Sequence, residues 1–168
     1  MAGEPRERRF KYRLRNRLNE PRPRAEYETT SGEETIALGR KLARQIRAPL
    51  LVLLLGNLGM GKTTLAKGIA SGLGAAREED VTSPSFTLIH EYRGGATKVY
   101  HVDLYRLEGE RDIASLGLED LFEEWQPAVV LIEWGEKLKG LFPGAHWEIR
   151  FTDLGGDRRK IVVEEMDG

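Results

Sequence analysis

The sequence predicts one α/β domain, a mixed and mostly parallel sheet that carries an antiparallel hairpin and is flanked by helices. Three observations predict it. Residues 50–55 (LLVLLL) and 128–132 (AVVLI) are uninterrupted apolar runs, the pattern of strands buried on both faces. The first run leads directly into Gly56-Asn57-Leu58-Gly59-Met60-Gly61-Lys62-Thr63, which fits G-x-x-x-x-G-K-[ST]. Leu65, Ile69 and Leu73 then recur at every fourth position, one face of a helix, and Gly74 suits its C-terminal cap. Strand, glycine loop and helix in this order make a P-loop NTPase domain.

The chemistry accounts for each fixed residue of the loop. Glycines let the chain turn tightly, so that successive N–H groups from Gly56 to Thr64 point inward at phosphate oxygens. Lys62 reaches the β- and γ-phosphates, and the Thr63 hydroxyl is placed to ligate Mg²⁺. The following helix turns the positive end of its dipole to the same anion. The expected ligands are therefore a nucleoside triphosphate or diphosphate with Mg²⁺.

Length and composition bound the rest. The chain has 168 residues, enough for one domain with a substantial core. It has no cysteine, which excludes disulfides, thiolate nucleophiles and cysteine zinc sites. No apolar run approaches the ~20 residues that span a bilayer, so a cytoplasmic setting without a membrane partner is expected. Charge is uneven: residues 1–26 carry nine Lys/Arg against four Glu, while the other 142 residues sum to −6. The expected organisation is a basic, disordered extension over 1–26 and a P-loop ATPase domain over 27–168. Within the extension Phe10, Leu14 and Leu18 sit four apart among arginines, which would form a short basic amphipathic helix on a partner surface.

Past the extension, residues 27–30 read as a short strand. Ser31-Gly32-Glu33-Glu34 fits the S-x-x-E capping box of a helix that Pro49 terminates. The first turn of that helix either approaches the base or ribose or simply packs on the sheet. Residues 86–92 (FTLIHEY) and 98–105 (KVYHVDLY) alternate as strands about Gly94-Gly95, the antiparallel hairpin. Helical signals run over 110–122. Residues 146–153 and 158–165 read as two final strands joined through Gly155-Gly156.

A phosphate loop needs carboxylates at the ends of neighbouring strands. Asp103 closes one such run and Glu133 the other. One would serve the Mg²⁺ shell and the other would orient or deprotonate a water, and the residue pattern leaves open which does which. His101, one strand face with Asp103, reads as a packed or hydrogen-bonded histidine. Ser83 and Ser85 either sense the γ-phosphate from a switch-like loop or shape a turn.

The segments GNLGMGKTTL (56–65), TSPSFTLIHEY (82–92), VYHVDLYRL (99–107) and LIEWGEKL (131–138) together resemble the TsaE (YjeE) family. The family comprises small bacterial P-loop ATPases of tRNA threonylcarbamoyladenosine synthesis. The resemblance covers residues 27–165. It implies slow ATP hydrolysis and binding to the TsaD–TsaB pair, in which TsaD transfers the carbamoyl group to adenosine 37; tRNA is then met through that complex. It further implies that Lys62 and the 59–64 backbone hold phosphates and that Thr63 ligates Mg²⁺. Glu133 matches the metal-associated glutamate, Asp103 the second essential acid, residues 83–86 the switch-like loop, and Trp134 a tryptophan beside the site. Asn57, Met60 and Ser85 stand where the family often has Asp, Ala and Thr.

Other readings use the same loop. A small-molecule or nucleotide kinase is compatible with the fold, although no arginine-rich lid insertion is evident. A GTP switch is disfavoured, since no N-K-x-D segment occurs. A purely structural nucleotide-binding partner would use nearly the same residues.

Overall fold

The two apolar runs form β2 (Leu50–Leu55) and β5 (Ala128–Glu133), paired in parallel at the middle of a seven-stranded sheet. The computed structural model describes residues 24–57, 59–138 and 145–167. The basic amphipathic segment around Phe10–Leu18 and the loop residue Leu58 lie outside the described residues. Among the described residues no helix is long and apolar enough to cross a membrane.

The remaining strands are β1 (Arg24–Thr29), β3 (Ile89–Tyr92), β4 (Lys98–Asp103), β6 (His146–Gly155) and β7 (Arg158–Met166), in the order β1-β7-β6-β2-β5-β4-β3. β6, β2, β5 and β4 are parallel neighbours, whereas β3, β7 and β1 join by antiparallel pairing. Five of the seven strands consequently run in one direction, a mixed and mostly parallel sheet.

The helices divide between the two faces. α1 (Gly32–Ala43) and α2 (Lys62–Gly72) cover one face, packing Leu38, Leu42, Leu65 and Ile69 on Val52, Leu54, Val129 and Leu131. α3 (Gly109–Ser115) and α4 (Leu118–Glu124) cover the other, packing Ile113, Leu118 and Phe122 with Leu51, Leu53, Val130 and Ile132. Successive residues of β2 and β5 therefore feed opposite cores, which is why both runs are apolar throughout.

α1 and α2 approach closely through glycine. A methyl group added at Gly39 would lie 2.6 Å from the Leu65 carbonyl oxygen and 2.8 Å from Gly68 Cα. This contact sets the depth at which α2, and the loop leading into it, sits on the sheet.

Several boundaries differ from the sequence reading. β1 begins at Arg24, three residues before the expected start at Tyr27, because Arg24–Thr29 pairs in register with Arg159–Glu164 of β7. β3 begins at Ile89, since residues 85–87 form a turn closed by the Leu88 N–H on the Pro84 carbonyl (2.7 Å). β4 ends at Asp103 and not at Tyr105. The helical stretch after it is two helices, split where Gly117 takes a left-handed φ of 61°.

Candidate active site

Helix ends and strand ends build the site. At the start of α1 the Ser31 hydroxyl accepts the Glu34 N–H (3.1 Å), half of the expected capping box. Glu34 returns to Thr30, accepting from its N–H (2.5 Å) and its hydroxyl (2.9 Å), one residue earlier than a standard box. α2 ends as expected: Gly74 takes φ 72°, its N–H reaches the Ser71 carbonyl, and the Ala75 N–H reaches that of Ala70, each at 3.0 Å. α2 is thus fixed at its C-terminus, and its N-terminus emerges at Gly61 beside the ends of β2, β4 and β5.

The loop between β2 and α2 contains left-handed glycines at Gly59 (φ 78°) and Gly61 (φ 96°), conformations that favour glycine. Lys62 folds back over it. Its Nζ donates to the Gly56 carbonyl oxygen at 2.6 Å and lies 3.7 Å from the centroid of the Trp134 ring. Burial pushes the Lys62 ammonium below its ordinary value, while the negative charges of Glu136, Glu133 and Asp103 partly restore it. A buried cation held by a carbonyl and an aromatic face, with no direct carboxylate partner among the described residues, is suited to receive an anion.

Glu133 and Asp103 sit opposite each other in the β4–β5 register, both almost wholly buried. The Thr63 hydroxyl lies 2.8 and 2.9 Å from the two Glu133 carboxylate oxygens, and His101 Nε2 lies 2.6 Å from Oε2. Thr63 therefore donates to the carboxylate, and His101, itself fully buried, fixes its other side. The Tyr92 hydroxyl is 3.4 Å from His101 Nδ1; burial raises its pKa above the ordinary value and keeps it protonated. His101 is thus a hydrogen-bonded residue of the carboxylate, as its place on the strand suggests.

Asp103 has different partners. Its Oδ2 accepts from the Ser83 hydroxyl (2.8 Å) and the Ser85 hydroxyl (3.2 Å), and its Oδ1 accepts the Tyr105 N–H (2.8 Å). The two serine hydroxyls are 2.8 Å apart.

These groups line one cleft of about 500 Å³. Of the residues singled out from sequence, Gly59, Gly61, Lys62, Thr63, Thr64, Ser83, Ser85, Asp103, Glu133 and Trp134 line it. Gly56, Asn57 and Met60 are not among the lining residues; Gly56 instead holds Lys62 through its carbonyl, and its N–H donates to Glu136 Oε2 at 3.2 Å. No residue of α1 is among the lining residues, although a methyl group at Gly32 would lie 3.9 Å from Cγ2 of Thr64, which does line the cleft. The sequence reading does not assign Tyr105, which lines the cleft and meets the Trp134 ring at 5.3 Å. Nor does it assign Glu136 and Lys137; their only signal was nearness to Glu133 in the chain.

The donor set fits a hard cation shared with phosphate. A hydroxyl and two carboxylates lie at the loop, and no cluster of three or more His, Asp or Glu forms a closed cage among the described residues. Mg²⁺ commonly binds this way, through one or two protein oxygens, water and phosphate.

Comparison with known proteins agrees with this geometry. The family described as threonylcarbamoyl adenosine biosynthesis protein TsaE matches residues 29–161. The chain belongs to the TsaE family. It is 38% identical over 136 residues to the tRNA threonylcarbamoyladenosine biosynthesis protein TsaE of Bacillus subtilis, covering 81% of this chain and 82% of that one. It is also 38% identical over 156 residues to the TsaE protein of Mycobacterium tuberculosis, with 84% and 92% covered. A crystal structure of Bacillus subtilis YdiB superposes with a TM-score of 0.69 at 32% identity, covering 88% of each chain. The TsaE match begins at Thr29, within β1, and spans every site residue named above.

Proposed function

We propose that this TsaE-family chain is a Mg²⁺-dependent ATPase that binds ATP and hydrolyses it slowly. In this reading it acts on the TsaD–TsaB complex during threonylcarbamoyl modification of adenosine 37 and meets tRNA through that complex. The observation that carries the reading is the Thr63–Glu133 contact, which ties the first hydroxyl after the phosphate-loop lysine to a carboxylate closing a central strand. That pairing is what a P-loop site needs to hold Mg²⁺ and its waters.

The roles divide accordingly. Lys62 and the backbone from Gly59 to Thr64 bind the phosphates. Thr63 and Glu133 would hold Mg²⁺, which would supply positive charge to the phosphates. Asp103, with an oxygen already accepting two hydroxyl protons, orients the attacking water and receives its proton. Ser83 and Ser85 link that carboxylate to a loop able to report on the terminal phosphate. Trp134 lies against Lys62 and Tyr105, bounding the cleft. Residues 1–23, which precede β1, are proposed as an extension that nucleotide binding does not require.

The test follows the terminal phosphate of ATP with purified chain, alone and with TsaD–TsaB. Slow release to water, raised by the pair and absent in Lys62→Ala, is expected. Phosphate appearing on another small molecule would put a kinase in place of the ATPase. No response to TsaD–TsaB would remove the proposed partners.

A further inference from the structure

Among the described residues two cationic side chains line the cleft, Lys62 from the phosphate loop and Arg106 from the segment after β4. The loop motif accounts for Lys62 only. The Arg106 guanidinium lies 3.9 Å from the centroid of the Phe86 ring, and Phe86 is 82% exposed. Among the described residues no ion pair engages Arg106. An arginine resting on an exposed ring makes a weak contact, easily exchanged for an anion.

The backbone carrying Arg106 is held firmly. Lys137 Nζ donates to the carbonyl oxygens of Leu104 (2.9 Å), Tyr105 (2.9 Å) and Leu107 (2.8 Å). Those three bonds use every donor of the ammonium, so Lys137 is committed to the loop and not to a phosphate. The Tyr105 N–H is bound by Asp103, and the Tyr105 ring meets Trp134. The main chain is therefore fixed on both sides of Arg106, leaving its long side chain to choose between Phe86 and the cleft. A rigid carrier for a mobile cation is the arrangement expected of a residue that must reach one defined point.

The geometry points to Arg106 as a second phosphate-reading cation, supplied by the chain itself to the terminal phosphate of a bound triphosphate, with Lys137 as the positioning residue of its loop. This rests on the phosphate site proposed above. In hydrolysis the water oxygen bonds to the terminal phosphorus while the bond to the bridging oxygen breaks. ADP leaves with that electron pair, and the proton of the water passes through Asp103 to solvent. Charge spreads over the terminal phosphoryl oxygens during this exchange, and a guanidinium presents paired N–H donors that match them. A lysine at position 106 would supply charge without the planar fork.

The test compares binding of ADP with Mg²⁺ and of ADP with Mg²⁺ and aluminium fluoride, which imitates the transferring phosphoryl group, using full-length chain. Arg106→Ala should bind ADP within about threefold of the parent yet lose about tenfold or more of the affinity that fluoride adds, since arginines of this kind act on the transferring group. Its ATP hydrolysis should fall by about 10²-fold or more, with little recovery in Arg106→Lys. Lys137→Met should keep ADP affinity and show the same loss in smaller degree, provided its melting temperature shows it folded. A parental fluoride response in folded Arg106→Ala overturns the inference while leaving the phosphate site standing. Failure of the parent itself to bind ADP overturns the phosphate site, and the inference with it.

Discussion

Glu133 and Asp103 close adjacent parallel strands at the same level, and each is buried to nearly the same extent. Glu133 faces the phosphate loop and a fully buried histidine, with Thr63 on one side and His101 on the other. Asp103 faces the segment between α2 and β3, with Ser83 and Ser85, and the chain immediately after its own strand. Two carboxylates that look equivalent along the chain are thus wired to different machinery. One is joined to parts the fold holds still, the other to a turn exposed at Phe86. Position at a strand end makes an acid available; its hydrogen-bond partners decide what it does.

The comparison predicts its largest effect in hydrolysis. Glu133→Gln and Asp103→Asn should each lower the rate by about 10²-fold or more, the scale associated with losing a positioned acid or base. Single-turnover phosphate release measures both, and a variant within about threefold of the parent would exclude that acid from the reaction.

Lys62→Met comes next. Nucleotide binding should be lost, but the melting temperature should be no lower than that of the parent, because a buried cation is replaced by an apolar chain of similar length. The lysine's folded pKa lies below its unfolded one, so the unfolded chain holds more protons in that interval and stability rises with pH. The contribution is complete above the ordinary lysine value and is lost as pH falls through the lowered one. Denaturation of parent and Lys62→Met across the alkaline range should show the parent gaining relative to the variant. A gap independent of pH would contradict the burial argument.

His101→Gln separates the acids further. It should weaken Mg²⁺-dependent ADP binding by about 10-fold, as removing a partner of a metal-associated carboxylate does, while Ser83→Ala leaves that binding unchanged. Equal effects from both variants, read by calorimetry at several Mg²⁺ concentrations, would dissolve the distinction. Smaller again in its reach, Gly39→Ala should cost about 1–3 kcal/mol of stability by forcing α1 off α2, read by denaturant melts. Removal of residues 1–23 should leave ADP affinity as it was.

Much of this was legible in the chain. The two apolar runs read as strands buried on both faces, and the glycine loop between strand and helix marked the proposed anion site. Both acids were visible as charges ending apolar strands. What escaped did so for physical reasons. FTLIHEY alternates from its first residue, so periodicity alone cannot show that Phe86 belongs to a turn closed by Pro84 and Leu88. The helical pattern over 110–122 continues across Gly117, whose left-handed backbone breaks it. The partners of each acid come from segments distant in sequence: Thr63 lies 70 residues before Glu133, and Ser83 lies 20 before Asp103. Lys137 was unreadable because its three acceptors are backbone carbonyls, which carry no residue signature.

The most direct measurement is a Mg²⁺ titration of ADP binding to Glu133→Gln and Asp103→Asn, side by side with the parent. If Glu133 belongs to the metal and Asp103 to the water, the Glu133 variant alone will need about 10-fold or more additional Mg²⁺ to reach parental affinity. If Asp103→Asn shifts the Mg²⁺ requirement and Glu133→Gln does not, the division of labour drawn from their hydrogen bonds is wrong.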